Sequence, residues 1–191
     1  IVQLSLDGKE EAHNELRGEG SFRIVMNAID LLKREKIKMV TNTVLTRKNI
    51  SDLDYILNIA KEYGHKSLVQ PVFFYKLSNS KEVINNYRLN RQEMLDIIKY
   101  LRYQKKNKLP IGNSYAFLKY IENTWDKPME FNCKANNLFC SIDPLGNILP
   151  CCFCDVNENN NYNYNANTLG FREAFTQSKK NTFSKHCSGL L

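Results

Sequence analysis

The first 75 residues alternate between strand-like and helix-like patterns, and this alternation restricts the possible folds more than any other feature. Apolar and β-branched runs over 1–8, 38–46 and 67–75 predict three strands, with helical periodicity between them. Parallel strands require crossovers of this length, so the pattern predicts a parallel α/β unit with right-handed crossovers. Pro71 cannot donate to a sheet ladder, which leaves the alternative that the third strand ends at Gln70 and exposes that side chain at its carboxyl edge.

Helix boundaries follow from capping residues and apolar spacing. Residues 9–20 are polar and end in a glycine-rich stretch, so they are expected to form a loop, and Ser21 is expected to cap the next helix. Ser51 and Asp54 form a capping-box pattern for a second helix, which Gly64 ends. Later helices are predicted by the capping pair Asn90 and Glu93 and by the apolar spacing over 114–123.

The first predicted strand ends in two polar residues, Ser5 and Asp7, followed by Gly8. In a parallel barrel or sheet, side chains at the carboxyl end of a strand face the ligand. Ser5 and Asp7 are therefore candidate binding residues. The alternative is structural, with Asp7 and Gly8 forming only a turn and Ser5 filling space.

Five of the six cysteines lie between Cys133 and Cys154, and Cys187 follows in the tail. They surround a hairpin pattern, in which two apolar runs flank a turn over 143–146. Four interpretations remain open: an iron-sulfur cluster, which irregularly spaced thiolates favour; a zinc site; a disulfide; and buried cysteines that act as small apolar side chains. Beyond the hairpin, the run 157–167 contains seven asparagines and is predicted to be a mobile loop.

The composition of the sequence restricts the cellular compartment and the classes of binding partner that we expect. The sequence contains no apolar signal segment and no membrane-length apolar run, so we expect a reducing cytoplasm and no membrane partner. The formal net charge is +7, but lysine and arginine are interspersed with acidic residues along the predicted helices. Solvated helix faces account for this pattern, and no nucleic-acid partner is expected.

The spacing around the hairpin resembles that of a known family. Cys133-x12-Gly146-x4-Cys151, with Ile-Asp-Pro before the glycine and Pro-Cys after it, resembles the start of the SPASM/twitch domain of radical SAM enzymes. The resemblance implies that Cys133, Cys151 and Cys187 ligate an auxiliary 4Fe-4S cluster. Cys154 is the first candidate for the fourth ligand, ahead of Cys152 and Cys140.

The first half of the chain resembles the later βα units of radical SAM proteins. The matching residues are Leu4-Ser5-Leu6-Asp7-Gly8, His13, Arg17-Gly18, Gly20-Ser21-Phe22, and Thr43-Val44-Leu45-Thr46 with Asn49. The resemblance implies that Ser5 contacts S-adenosyl-L-methionine (SAM) and that Asp7 shapes the same pocket. Arg23 lies one position before the arginine that can meet the SAM carboxylate in the family, and Arg17 is expected to anchor the loop.

The Cys-x3-Cys-x2-Cys motif that holds the radical SAM 4Fe-4S cluster does not occur in this sequence. We therefore expect the chain to be a C-terminal fragment, inactive by itself, with that cluster in the N-terminal part. The expected fold class is α/β: the C-terminal part of a partial (β/α)6 TIM-like barrel over 1–110, a bridging helix over 111–132, and a small β-hairpin-plus-helix SPASM/twitch domain over 133–191.

The resemblance implies a radical SAM oxidoreductase that generates a 5′-deoxyadenosyl radical to modify its substrate. Its substrate is expected to be a peptide or protein, or otherwise a small molecule, and its reductant a protein such as flavodoxin or ferredoxin. The competing class is a zinc- or cluster-binding interaction module without catalytic activity.

Overall fold

The computed structural model describes residues 1–72, 86–125, 135, 137–149 and 164–179. The chain divides into two compact units, Ile1–Lys127 (the first unit) and Pro128–Leu190 (the second unit). Among the helices of the described residues, none combines the length and the apolar character needed to cross a membrane.

The first unit alternates strands and helices as the sequence predicts, with one additional helix after the first strand. Its elements are β1 (Val2–Ser5), α1 (Glu10–Arg17), α2 (Ser21–Arg34), β2 (Met39–Leu45), a 3-10 turn (Ile50–Asp52), α3 (Leu53–Tyr63), β3 (Lys66–Pro71), α4 (Arg91–Lys106) and α5 (Tyr115–Thr124). The three strands form one parallel sheet in the order β1-β2-β3. The predicted α/β class with a parallel sheet is therefore confirmed.

The register of the sheet fixes which side chains share a face. Ser5 is the partner of Asn42, Asn42 is the partner of Leu68, and Val44 is the partner of Gln70. Alternate residues of a strand point to opposite faces. In β2 the odd-numbered residues are all buried and the even-numbered residues are all half-buried. In β2 and β3 one face of the sheet is therefore fully packed, and the other face, which carries Ser5, Asn42 and Gln70, is partly open.

The packed face covers two apolar clusters. One cluster centres on Leu6, Val25, Ile29, Met39 and Ile59, which come from the β1 end, α2, β2 and α3. The larger cluster joins β2, β3, α3, α4 and α5, and it contains the fully buried Trp125. The apolar stripes of α2 and α3 thus supply core packing.

A short segment around Ile111 extends the sheet next to β3. Ser67 and Ile111 form a parallel bridge, and the Ser67 N–H donates to the Pro110 carbonyl at 2.8 Å. The Asn113 side chain then replaces backbone at the sheet edge: its Oδ1 accepts from the Val69 N–H and its Nδ2 donates to the Val69 carbonyl, both at 2.8 Å. This buried carboxamide satisfies two backbone groups that would otherwise lack partners.

Three helices of the first unit end in the same hydrogen-bond pattern, a Schellman motif. Ile37 N–H donates to Leu32, His65 N–H to Ala60 and Leu109 N–H to Gln104. The left-handed position is Gly64 after α3, but it is Lys36 (φ 55°) after α2 and Lys108 (φ 64°) after α4. A left-handed conformation costs a residue with a side chain about 1 kcal/mol relative to glycine.

Helix α4 begins where the sequence predicts, with Asn90 and Glu93 forming a reciprocal capping box. Trp125 follows α5 and donates its indole N–H to the Leu89 carbonyl at 3.1 Å. Arg88 lies over the same indole ring, 5.4 Å from its centroid. These contacts fix the chain before α4 against the end of α5.

The start of the first unit differs from the sequence prediction in three places. The predicted loop over 9–20 contains helix α1, whose only buried residue is His13, so it lacks the apolar stripe that would reveal it. Gly20, not Ser21, is the N-cap of α2. Helix α3 has Asp52 as N-cap without a side-chain cap bond, because that carboxylate accepts from the Lys9 N–H at 2.9 Å instead.

The second unit contains the predicted hairpin. Its elements are β4 (Ser141–Ile142), β5 (Ile148–Leu149), α6 (Ala166–Leu169) and α7 (Phe171–Ser178). The strands pair antiparallel, with Ser141 opposite Leu149 and Ile142 opposite Ile148. The end of the predicted mobile loop is ordered instead: Asn165 caps α6 and bridges Asn147 across the turn.

Candidate functional site

Three polar side chains line the partly open face of the sheet near its carboxyl edge. Ser5, Asn42 and Gln70 come from three adjacent strands, and each is half-buried. Within the ranges that the structure describes, none of the three side chains makes a hydrogen bond. A half-buried hydroxyl and two carboxamides that lack partners among the described residues can donate to and accept from a ligand. We refer to Ser5, Asn42 and Gln70 as the polar row.

Asp7 lies next to the polar row but is fully engaged by the protein. Its Oδ1 accepts from the Val44 N–H at 2.8 Å, and its Oδ2 accepts from Arg17 Nε at 2.6 Å. The Asp7 N–H donates to His13 Nδ1 at 3.1 Å. Asp7 is 1% exposed, so this buried carboxylate joins the end of β1 to α1 and β2. We call Asp7, Arg17, His13 and the Val44 N–H the Asp7 clamp.

The protonation of His13 follows from its position in the clamp. Burial lowers the pKa of His13, partly offset by the nearby Asp7 carboxylate. Because Nδ1 accepts from the Asp7 N–H, the neutral ring carries its proton on Nε2. His13 therefore acts here as a buried acceptor that orders the β1–α1 connection.

The connections after β1 and β2 are tied to each other and to the sheet. The Asn49 side chain accepts from the Thr46 N–H at 2.8 Å and donates to the Val44 carbonyl at 2.9 Å. A Cβ at Gly8 would lie 2.9 Å from Asp52 Oδ2, so this close approach requires glycine. The loops beside the polar row are thus held by buried hydrogen bonds.

The structure places the predicted first-unit residues in two different roles. The Ser5 hydroxyl lies in the polar row without a hydrogen-bond partner among the described residues, whereas Asp7 has both carboxylate oxygens bound. Arg17 anchors the loop through Asp7, as the sequence predicts, and Arg23 is exposed on α2. The sequence analysis did not identify Asn42 as a candidate binding residue. Asn42 lies between Thr41 and Thr43 in a β-branched run, and this single carboxamide within a predicted strand was the feature that could have indicated a binding role.

The four predicted cluster ligands, Cys133, Cys151, Cys154 and Cys187, lie outside the described residues, as does Cys152. Cys140 is described and half-buried, and burial raises the pKa of its thiol against the lowering effect of Lys179. Among the described residues, no group of three or more histidine, cysteine or acidic side chains could hold a metal ion.

The described part of the second unit shows how the hairpin turn is held. The Asn147 side chain donates to Asp143 Oδ2 at 2.8 Å, and Asp143 Oδ1 accepts from the N–H groups of Asn147 and Leu145. These hydrogen bonds, that of the Asn147 side chain first, lower the pKa of Asp143. Asn165 Nδ2 donates to the Leu145 carbonyl and to Asn147 Oδ1, both at 2.9 Å. The turn between the predicted ligands Cys133 and Cys151 therefore has a defined, side-chain-supported shape.

The chain is similar to curated proteins named mycofactocin maturase MftC. It is 25% identical over 154 residues to that of Mycobacterium tuberculosis H37Rv, covering 80% of this chain and 39% of the relative. It is also 25% identical over 180 residues to that of Mycolicibacterium smegmatis, covering 93% and 45%. For Mycobacterium ulcerans the values are 25% over 154 residues, 80% and 41%.

The chain thus spans about two fifths of the length of these relatives. No family model matches it. The similarity to the maturases supports the radical SAM family, the class to which the motifs of the first strand and the cysteine hairpin point.

Proposed function

We propose that this chain is part of a radical SAM oxidoreductase that modifies a peptide or protein. Two independent features support the proposal. The curated relatives are named maturases, and their similarity extends over 80% or more of this chain. The polar row lies at the carboxyl edge of a parallel sheet, where α/β folds bind their ligands.

The polar row is the observation that carries the SAM-binding part of the proposal. Adjacent strands lie about 4.8 Å apart and residues advance about 3.3 Å along a strand, so Ser5 and Gln70 span roughly 12 Å. That distance suits a nucleoside joined to an amino acid. A hydroxyl and two carboxamides complement ribose hydroxyls and the amino and carboxylate groups of SAM. Bound SAM would supply the hydrogen-abstracting radical chemistry of the family.

The Asp7 clamp supports this site without binding the ligand. Both carboxylate oxygens are occupied by Val44 and Arg17, so Asp7 has little capacity left for a ligand. The clamp holds the end of β1 in register with β2, and it thereby fixes the position of Ser5 beside Asn42. Asp7 is thus proposed to shape the SAM pocket, in keeping with the resemblance.

The remaining cofactors belong to parts that the described residues do not include. We assign an auxiliary 4Fe-4S cluster to Cys133, Cys151, Cys187 and Cys154, because clustered thiolates are the ligands that such clusters require. The radical SAM cluster would be held in an N-terminal part. In this assignment 1–110 belongs to a partial barrel, 111–132 forms the bridge and 133–191 is the SPASM/twitch domain. A cytoplasmic reductant such as flavodoxin or ferredoxin would deliver electrons.

SAM affinity of the full-length protein tests the polar row. Ser5→Ala and Asn42→Ala each remove one hydrogen-bonding group, which is worth about 0.5–1.5 kcal/mol, so each variant should bind SAM roughly 2–12-fold more weakly. Anaerobic titration calorimetry measures this change. Gln3→Ala is the matched control: Gln3 lies on the same strand face, two residues before Ser5, and should leave the affinity unchanged. Unchanged affinity in both Ser5→Ala and Asn42→Ala would remove the polar row from the SAM site.

A further inference from the structure

The amino edge of the sheet, opposite the polar row, carries a group of exposed lysines. The turns after α2, α3 and α4 all lead into parallel segments, namely β2, β3 and the segment around Ile111, so they lie at the same edge. We define the lysine edge as five exposed lysines of these turns and the adjoining helix and strand ends: Lys36, Lys38, Lys66, Lys106 and Lys108.

The five lysines of the lysine edge outnumber the exposed acidic residues at the same helix ends, Glu35 and Glu62. Within the part of the chain that the structure describes, none of its five lysines forms an ion pair. Glu35, the acidic residue nearest to Lys36 in sequence, pairs with Arg34 at 3.2 Å. Five ammonium groups at one edge of the sheet therefore create a positive local potential.

Other lysines near these turns have clear structural partners, which distinguishes them from the lysine edge. Lys33 Nζ donates to the Glu62 carbonyl at 3.1 Å, and Lys105 Nζ donates to the Ile111 carbonyl at 2.7 Å. Lysines at the end of a helix also complement its dipole, and this is an ordinary reason for their presence. The five lysines of the lysine edge lack such fixed contacts in the described residues.

The backbone gives independent support for a role beyond stability. Lys36 and Lys108 are the only residues other than glycine with positive φ among the described residues, and both belong to the lysine edge. Gly64 occupies the same position of the same motif after α3. Two of the three equivalent positions thus carry lysine where glycine is the more stable choice. Unfavourable backbone conformations of this kind concentrate at functional surfaces.

An apolar side chain lies within the lysine edge. Ile37 stands between Lys36 and Lys38 and is 46% exposed. An exposed aliphatic side chain surrounded by charges is typical of a protein contact, in which an apolar centre is enclosed by a polar rim. Nucleic-acid sites also use lysine for phosphate contacts, but they typically add arginines for bidentate contacts and aromatic rings for base stacking. The arginines near this edge, Arg34 and Arg102, are paired with Glu35 and Glu122.

We propose that the lysine edge binds an acidic protein partner, with Ile37 as its apolar contact and Lys36 and Lys108 as charge contacts. The surface lies at the opposite end of the strands from the polar row, so the partner would not block that site. This inference does not depend on the proposed SAM chemistry, because it concerns a separate edge of the sheet and is tested by binding alone.

Binding of fluorescently labelled poly-L-glutamate to the full chain, followed by anisotropy in 50 mM salt, tests the proposal. Lys36→Gln/Lys108→Gln should weaken binding about fivefold. The control, Lys99→Gln/Lys119→Gln, removes the same charge from exposed positions on α4 and α5 and should weaken it less than about twofold. Equal losses in the two double variants, or no binding by the unaltered chain, would overturn the proposal.

Two further measurements distinguish the partner class and the role of the backbone. The first measurement compares poly-L-glutamate with a single-stranded oligonucleotide and with phosphatidylglycerol vesicles. If either of these two bound more tightly than poly-L-glutamate, with the same dependence on Lys36 and Lys108, the partner would be a phosphate-bearing molecule, and the proposal of an acidic protein would be refuted. Lys36→Gly and Lys108→Gly should each raise the melting temperature by about 2–4 °C while weakening poly-L-glutamate binding. A lower melting temperature would show that these lysines serve stability, and would contradict the proposal.

Discussion

Replacing Asp7 by alanine tests whether the clamp holds the edge of the sheet together. The substitution removes the acceptor of the Val44 N–H, a partly buried group whose lost partner costs about 1–3 kcal/mol. It also removes the ion pair with Arg17. Because Arg17 is 39% exposed and can turn to water, that pair contributes only about 0.5–1 kcal/mol. Asp7→Ala should therefore destabilise the first unit by about 2–3 kcal/mol.

The single tryptophan of the chain provides the assay. Trp125 belongs to the first unit and is 1% exposed, so its fluorescence reports unfolding of that unit. With a urea dependence of about 1–3 kcal/mol per molar, Asp7→Ala should lower the urea midpoint by roughly 1–2 M.

Two companion variants make the result specific. Arg17→Ala should cost about 1 kcal/mol or less, and the double variant should be destabilised by less than the sum of the two single variants, since both substitutions remove the same contact. Asp96→Ala removes an exposed carboxylate from α4 and should change stability by less than about 0.5 kcal/mol. If Asp7→Ala resembled Asp96→Ala, the carboxylate would not be holding β1, α1 and β2 together.

The buried histidines and the sheet edge give two further predictions. Burial lowers the pKa of His13 and of His65, so the unfolded chain binds protons more readily than the folded chain. The free energy of unfolding should therefore be highest above pH 6.5 and should fall as the pH drops below that value. The urea midpoint of the unaltered chain should decrease from pH 7.5 through 6.5 to 5.5, and in His13→Gln/His65→Gln this decrease should be smaller; a midpoint that rises towards pH 5.5 in the unaltered chain would contradict the assignment. Asn113→Ala removes both hydrogen bonds to Val69 and should cost about 2 kcal/mol by Trp125 fluorescence. Asn113→Asp keeps the acceptor but places a buried carboxylate oxygen against the Val69 carbonyl, so it should cost at least as much. A cost below about 0.5 kcal/mol for Asn113→Ala would show that the two hydrogen bonds do not stabilise this edge of the sheet.

The alternation of strands and helices and the parallel class of the sheet could be predicted because periodicity and length act locally. The β-branched run 38–46 and the helical stripe that contains Val25 and Ile29 each fit one type of element, and parallel pairing follows from their alternation. The capping pair Asn90 and Glu93 formed as predicted because it depends on four consecutive residues. Local patterns of this kind determine most of the first unit.

Features that depend on distant partners could not be predicted in the same way. Helix α1 buries only His13, so its position depends on Arg17 reaching Asp7 and not on an apolar stripe. Its acidic start and basic end, Glu10, Glu11 and Arg17, complement the helix dipole and were the available signal. The Asp52 side chain does not cap α3, because it accepts a hydrogen bond from the Lys9 N–H, 43 residues earlier in the sequence.

The candidate site was predictable in part. Ser5 follows from its place at a strand end, but its neighbours on the row depend on register, which pairs Ser5 with Asn42 and offsets Gln70 by two residues. Asn165 likewise lies in an asparagine-rich run with no obvious structural pattern, although its side chain closes the turn after β4. Its role depends on Leu145 and Asn147, about 20 residues earlier.

The iron content of the anaerobically reconstituted full-length protein, with and without Cys151→Ala, tests the central claim most directly. A radical SAM enzyme with one auxiliary 4Fe-4S cluster should hold about eight iron atoms, and Cys151→Ala should reduce this to about four. Stoichiometric zinc with no iron in the unaltered protein would contradict the account and identify a zinc-binding module instead.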